Sequence, residues 1–355
     1  MGSLAQITYY LRIVGKFAAI IGGVALVIFL IFKGGTYLYR IIIPPAPLVP
    51  AQIFGKLPQV KFPEQNKTLS EYKIDTITGR LPLLPDRMRV YKTVEIEPNL
   101  FALQNVRASL RTYGFTFGEK EIDPLEKTYT WQNSYGNIIK FNTLKNTFEI
   151  FPNPQLQLPP SGVNFSEDGQ AQKYVQTFLS NLNQDTSDID FGKTQVAYFK
   201  IESSGVEEVN EELLANTAQI NLFQSDLAID PLSIFDKKIE KLSLVYPVLS
   251  ENQTSTMSFV VRLTPNGPII SQARYLHYQI NPNNFSDYQI KPIETAFEDL
   301  QNGRAYYLGS TTQPQVGITN VTLGYYMGPD VQNYVVPVII FEGTNFKAFV
   351  FALKD

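Results

Sequence analysis

A chain of 355 residues that is 44% apolar and 13% aromatic can fill two or three compact cores, although only 18% of it is charged. The net charge of −3, with no basic stripe, excludes a nucleic-acid-binding surface. With no cysteine and a single histidine, His277, the chain cannot make disulfides, use thiolate chemistry or hold a metal on sulfur, and cannot build a two-histidine metal site alone.

The first predicted element is a helix. Lys16 and Lys33 bracket the uncharged run FAAIIGGVALVIFLIF, with Tyr9, Tyr10, Tyr37 and Tyr39 outside it. As a helix it spans about 24 Å. Lysine snorkelling and the preceding Ile13–Val14 extend it toward the roughly 30 Å of a bilayer core, so residues 14–32 are expected to contact a lipid bilayer. The expected topology is a single-pass signal-anchor, uncleaved, with a short cytoplasmic tail and a large extracytoplasmic domain. The competing reading is a cleaved signal peptide, for which Val49-Pro50-Ala51 loosely fits a small-x-small site. Gly15, Ala19 and Gly23 share one helix face, with Ala18 and Gly22 beside them, a stripe that lets a second helix approach closely.

Prolines 44, 45, 47, 50, 58 and 63 then predict a semi-rigid stalk. After it, one helix followed by strands is expected three times. In the first unit a strand spans Arg87–Val94. A helix runs from Pro98 to Tyr113, with Leu100, Leu103, Val106 and Leu110 on one face and Gly114 ending it. A three-stranded meander follows, turning at Tyr135-Gly136-Asn137 and Lys145-Asn146, with Trp131 as its core anchor.

FPNPQLQLPPSG separates the units. Ser166 predicts an N-cap for a helix reaching Leu182, with Ala171, Tyr174, Val175, Phe178 and Leu179 as its apolar face. Strands are expected at Gln195–Ile201, Ala218–Phe223, Ser258–Leu263 and Ile269–Ile280, and Glu207–Leu214 reads as a short helix or a loop. The third unit opens with the helix PIETAFEDLQNG and closes on strands Ile318–Met327, Tyr334–Glu342 and Phe346–Leu353. The expected fold class is therefore α+β, tandem modules of one helix packed on an antiparallel sheet. Its expected boundaries are 1–43 for tail and transmembrane helix, 44–63 for the stalk, 64–151 for the first module, 152–163 for a linker, 164–290 for the second module and 291–355 for the third.

Pro292, Glu294, Ala296, Leu300 and Gly303, then Leu323, Gly324 and Tyr325, then Pro337 and Phe349, form a pattern that resembles the PepSY-like modules of YycH/YycI-type regulators. SFVVRLTPNGPIISQARYLHYQI is similar to the long strands before such a module. The resemblance covers the C-terminal half. It implies a bitopic protein whose extracytoplasmic α+β modules contact a membrane sensor kinase. Residues 64–151 and the stalk have no counterpart in that family, which leaves the partner open.

Chemistry is sparse. Strand alternation puts His277 on a face with Tyr275 and Gln279 and supplies no nucleophile beside it. Glu294, Glu298 and Asp299 fit a carboxylate pair for glycoside hydrolysis, yet acids in the first turns of a helix ordinarily complement its dipole. Glu207, Glu208, Glu211 and Glu212 form an acidic knot without the order of a calcium loop. No phosphate-binding glycine loop appears. Asn66, Asn164, Asn252, Asn284 and Asn320 begin N-x-S/T patterns, which matter only in a glycosylating host. Phe346, Phe349 and Phe351 are expected on a closing edge open to a partner strand.

These observations lead to a non-enzymatic protein with no cofactor or metal, one that binds and regulates another membrane or envelope protein, with an oligomer allowed. The alternative is a scaffold subunit of a cell-envelope or surface assembly. A weaker alternative is a wall-polymer hydrolase.

Overall fold

The computed structural model describes residues 16, 22–24, 26–31, 33, 51–58, 62–63, 71–97, 99–155, 158–160, 162–229, 244–250, 255–309, 315–328 and 332–354. Met1–Val49 and Pro50–Asp355 are separate compact units.

In the first unit the described residues are helical. Among the described residues, no helix is long and apolar enough to cross a membrane. The expected single-pass signal-anchor and the two-sided localisation are therefore corrected, residues 14, 15, 17–21, 25 and 32 lying outside the described residues. The physical reason is length: sixteen uninterrupted apolar residues fall short of the roughly twenty a span needs.

The second unit begins with β1 (Glu71–Ile74), β2 (Arg87–Thr93), helix α1 (Ala102–Thr112) and the strands β3 (Phe117–Asp123), β4 (Thr128–Gln132), β5 (Ile138–Asn142) and β6 (Thr147–Phe151). Next come α2 (Gln170–Asn181), β7 (Gln195–Glu202), β8 (Gly205–Val209), β9 (Thr217–Leu222) and β10 (Leu227–Ile229). They are followed by β11 (Leu244–Tyr246), β12 (Val248–Leu249), β13 (Met257–Thr264), β14 (Gly267–Tyr275) and β15 (Ile280–Gln289). The chain closes with α3 (Ile293–Gln301), β16 (Tyr306–Gly309), β17 (Gln315–Tyr326), β18 (Tyr334–Gly343) and β19 (Phe346–Phe351).

These strands make two large sheets and a small two-stranded one. One sheet has nine strands in the order β3-β4-β5-β6-β14-β13-β9-β7-β8. The other has eight: β1, β17, β18, β19 and β16 in a row, with β12, β15 and β2 attached to it. Strands β10 and β11 pair with each other. The architecture is thus mostly β, and the expected α+β tandem of helix-on-sheet modules is corrected. The meander expected to form its own module joins the following segment where β6 pairs with β14. Strand β2, expected in the first module, pairs with β15 and β18. Alternation marks a strand and its buried face but carries no address for its partner.

Helices α1 and α2 cover one face of the nine-stranded sheet. Val106 and Leu110 of α1 and Val175, Phe178 and Leu179 of α2 share a core with Trp131, Ile139, Phe141, Phe148, Phe259 and Tyr275. Phe148 stacks on Phe141 and Tyr275, and Phe178 meets it edge-on. Burying each such ring stabilises the fold by about 1.5–3 kcal/mol. Leu100, expected on the buried face, is exposed because α1 starts only at Ala102, beyond Asn99, whose side chain accepts the Phe101 N–H. Helix α3 places Ala296 and Leu300 in the core of the eight-stranded sheet.

The stretch expected to be a stalk behaves differently where it is described. Gln52 N–H donates to the Asp287 carbonyl, Ile53 N–H to Ser286 Oγ, and Tyr288 hydroxyl to the Gly55 carbonyl. Phe54 packs on Tyr334, and Phe62 stacks on Tyr306. Those residues belong to the wall of the eight-stranded sheet, because their aromatic side chains stabilise more when buried than when held in a solvated spacer.

Candidate functional site

The meander β4–β6 has two unlike faces. Trp131, Ile139, Phe141, Phe148 and Ile150 point under the helices. The opposite face is covered by neither helix. Its first cross-strand row pairs Phe117 with Gln132, Gln132 with Ile138, and Ile138 with Phe151. Phe117, Ile138 and Phe151 are 58%, 42% and 47% exposed. Side chains directly opposite one another in neighbouring strands share a face, so three large apolar groups lie in one row on the outside of the sheet.

A second row, two residues along, is charged. Thr130 pairs with Lys140, Lys140 with Glu149, and Glu149 with Arg274. Beyond it a cleft of about 540 Å³ opens, lined in part by Asp123, Glu126, Lys140, Lys145, Glu149 and Arg274. Lys145 Nζ lies 2.5 Å from Glu126 and holds its carboxyl below the usual carboxylate range. The face therefore joins an exposed apolar row to alternating charges. The outer strands β3 and β8 are less inviting: Glu119, Lys120 and Glu121 on one, and Glu207 and Glu208 on the other, put charge along both edges.

His277 lies elsewhere. The expected strand Ile269–Ile280 is broken: β14 ends at Tyr275, β15 starts at Ile280, and His277 occupies the crossing from one sheet to the other. It is 8% exposed. Nε2 is 2.7 Å from Asp188 Oδ1, and Nδ1 is 3.1 Å from the Tyr275 hydroxyl. The other Asp188 oxygen accepts from the Ile280 N–H and from Gln224, which also donates to the Tyr278 carbonyl. Burial pushes the Asp188 carboxyl up, but the hydrogen bond and charge of His277, with these donors, bring it below the ordinary aspartate value. Burial also raises the Tyr275 phenol. Both imidazole nitrogens are thus engaged in bracing the crossing.

The acidic residues separate into unlike roles. Glu294 and Glu298 are exposed on α3. Asp299 is buried between Lys291 Nζ at 2.7 Å and Arg304 Nη2 at 2.6 Å. Burial raises its carboxyl and the two cations lower it further, to a net depression. In the acidic knot, Glu207, Glu208 and Glu211 are exposed, whereas Glu212 is 2% exposed. Its carboxylate accepts Gly169 N–H at 2.7 Å, Ala171 N–H at 2.8 Å and the Tyr198 hydroxyl at 3.0 Å. It caps α2 from another segment, in place of the expected cap Ser166; the residue at the N-cap itself is Gly169, with positive φ. Burial first, and Glu212 second, push the Tyr198 phenol up to about 12. Among the described residues no group of three or more His, Cys, Asp and Glu side chains is placed to hold a metal ion.

The expected open edge at Phe346, Phe349 and Phe351 is occupied. Strand β19 pairs with β18 on one side and, over Phe346–Phe349, with β16 on the other. Phe346 and Phe349 are buried, and Phe351 packs on the core. The reason lies in β16, which the preceding sequence did not mark as a strand. Of the helix stripe, Gly22 and Gly23 are helical, and a side-chain carbon built at either meets nothing within 4 Å. Gly15, Ala18 and Ala19 lie outside the described residues. Sequence reasoning missed the exposed row because β3 was not expected; the alternation of Ile138 with Lys140, and of Glu149 with Phe151, was the available signal.

No family model matches this chain, and no curated protein matches it. Among solved structures, the chain is similar to an uncharacterized protein from Eubacterium rectale ATCC 33656, at 11% identity and a TM-score of 0.33, over 80% of this chain and 86% of that one. A likeness that distant carries no argument about fold or function.

Proposed function

We propose that this chain is a non-catalytic binding protein that regulates another protein by docking on the outer face of the meander. The observation that carries this reading is the exposed row Phe117, Ile138 and Phe151, set beside the row Lys140, Glu149 and Arg274. Exposed apolar side chains grouped together and rimmed by charge are a mark of protein contact surfaces. Glu149 and Arg274 lie 4.0 Å apart and pair within the sheet, so the expected partner presents an apolar centre opposite the row and a carboxylate opposite Lys140. The use of His277 and Asp299 as internal braces supports a non-catalytic role and weighs against a wall-polymer hydrolase.

The test combines a triple change with site-specific photocrosslinking. A crosslinker at position 138 should yield one defined protein adduct in the native host. Phe117→Ser, Ile138→Ser and Phe151→Ser together should abolish co-purification of that same protein, with an unchanged melting temperature. Retention of the partner by the triple variant, or turnover of a substrate by the native chain, would overturn the reading.

A further inference from the structure

Arg262 stands on β13, paired with Thr217 of β9 and Ile269 of β14. Its neighbours Val261 and Leu263 point into the core under α2. Arg262 points the other way and is still only 6% exposed. Its Nε has no hydrogen-bond partner, and among the described residues no ion pair or hydrogen bond holds its guanidinium. Arg87, equally buried, has Asp86 at 3.8 Å. A guanidinium does not shed its proton in a protein, so Arg262 is a buried, unneutralised cation. Burial alone pushes its pKa down from the ordinary arginine value.

The cavity in front of it holds about 420 Å³, within the roughly 300–1,000 Å³ of small-molecule sites. Among the described residues its lining contains no Asp, Glu, Lys or His. The floor is braced rather than loose. Asn153 donates to the Tyr135 carbonyl at 3.0 Å, and the Tyr135 hydroxyl donates to Thr264 Oγ1 at 3.1 Å. Ser134 adds a hydroxyl, while Leu158, Pro265 and Ile269 supply an apolar wall.

We propose that Arg262 anchors a binding site for a small organic monocarboxylate, with the carboxylate on the guanidinium and the apolar body on Leu158, Pro265 and Ile269. A carboxylate matches the planar donor fork in geometry. A single charge matches the single cation in the lining, whereas a phosphate dianion would exchange one buried excess charge for another. The apolar wall gives an alkyl or aryl body its contact. None of the residues in the exposed apolar row lines this cavity, so the site stands or falls apart from the partner-binding face.

The experiment titrates the full chain with hexanoate, hexanamide and inorganic phosphate, by calorimetry and thermal denaturation. Hexanoate should bind saturably at one site and raise the melting temperature with concentration. Hexanamide should bind at least about tenfold more weakly, for want of the charge-assisted pair. Arg262→Met should abolish hexanoate binding and melt no lower than the native chain, because it removes an unpaired buried charge. Equal binding of the amide, a preference for phosphate, no saturable binding of hexanoate, or binding retained by R262M would each overturn the assignment. If R262M does not accumulate as folded protein, the comparison of hexanoate with hexanamide on the native chain still decides.

Discussion

Replacing Glu212 with alanine removes the acceptor for two helix N-terminal amides and one half-buried hydroxyl at once. Gly169 N–H, Ala171 N–H and Tyr198 hydroxyl lie 2.7, 2.8 and 3.0 Å from its carboxylate. The site is nearly closed to water, with Glu212 at 2% exposure. Loss of a helix cap costs about 0.5–2 kcal/mol, and a buried donor left unsatisfied costs about 1–3 kcal/mol. Cavity relaxation and entry of one water recover part of the sum, so E212A should be destabilised by about 2–4 kcal/mol. For a unit of this size that corresponds to a melting temperature lower by about 3–6 °C. Glu212→Gln, which keeps one acceptor oxygen, should fall between the two. Tyr198→Phe, which leaves both amides capped, should lose only about 1 kcal/mol. Thermal denaturation followed by circular dichroism gives the stabilities. Hydrogen exchange locates the effect: Gly169 and Ala171 amides should exchange faster in E212A, while those of β17 and β18 should not. Co-melting of E212A with the native chain, or unchanged exchange at Gly169 and Ala171, would refute the reasoning that a distant carboxylate caps α2.

Asp188 gives a pH dependence with a definite sign. Its carboxyl is depressed in the fold, so its contribution is present above the unfolded aspartate value and is lost as pH falls through the folded one. The native chain should therefore lose stability on acidification below about pH 4. Asp188→Asn should be less stable at neutral pH by about 1–3 kcal/mol and should show a shallower acid limb in urea titrations. At Gly343 a side-chain carbon would overlap the Gly317 carbonyl oxygen, where β17 and β18 meet at a register shift. Gly343→Ala should thus cost about 1–3 kcal/mol by denaturant titration, while Gly23→Ala, open on all sides, should cost nothing measurable.

Near the C-terminus, α3, β17, β18 and β19 were legible to within a few residues, whereas β16 was not. The expected strand Tyr334–Glu342 is β18 at Tyr334–Gly343, and the helix beginning at Pro292 is α3 at Ile293–Gln301. Their alternation and caps are local, and local energetics fixes them. The partner-binding face was half legible: Ile138 and Lys140 show the period of two, but Phe117 enters the row only through the pairing of β3 with β4. Arg262 was not singled out at all, since an arginine in a strand ordinarily reaches solvent.

Composition and pattern by themselves determined several of the strands, β18 among them, which face of those is apolar, and that no cysteine chemistry is available. Tertiary structure alone decided that β6 meets β14 across more than a hundred residues, that the described residues of the proline-rich stretch bond and pack against strands of a sheet, and that Glu212 and Arg262 are buried and Asp188 half-buried. The reason is physical. The torsional and hydrophobic preferences of a strand act within a few residues, whereas pairing and burial are settled by which distant surfaces exclude water together.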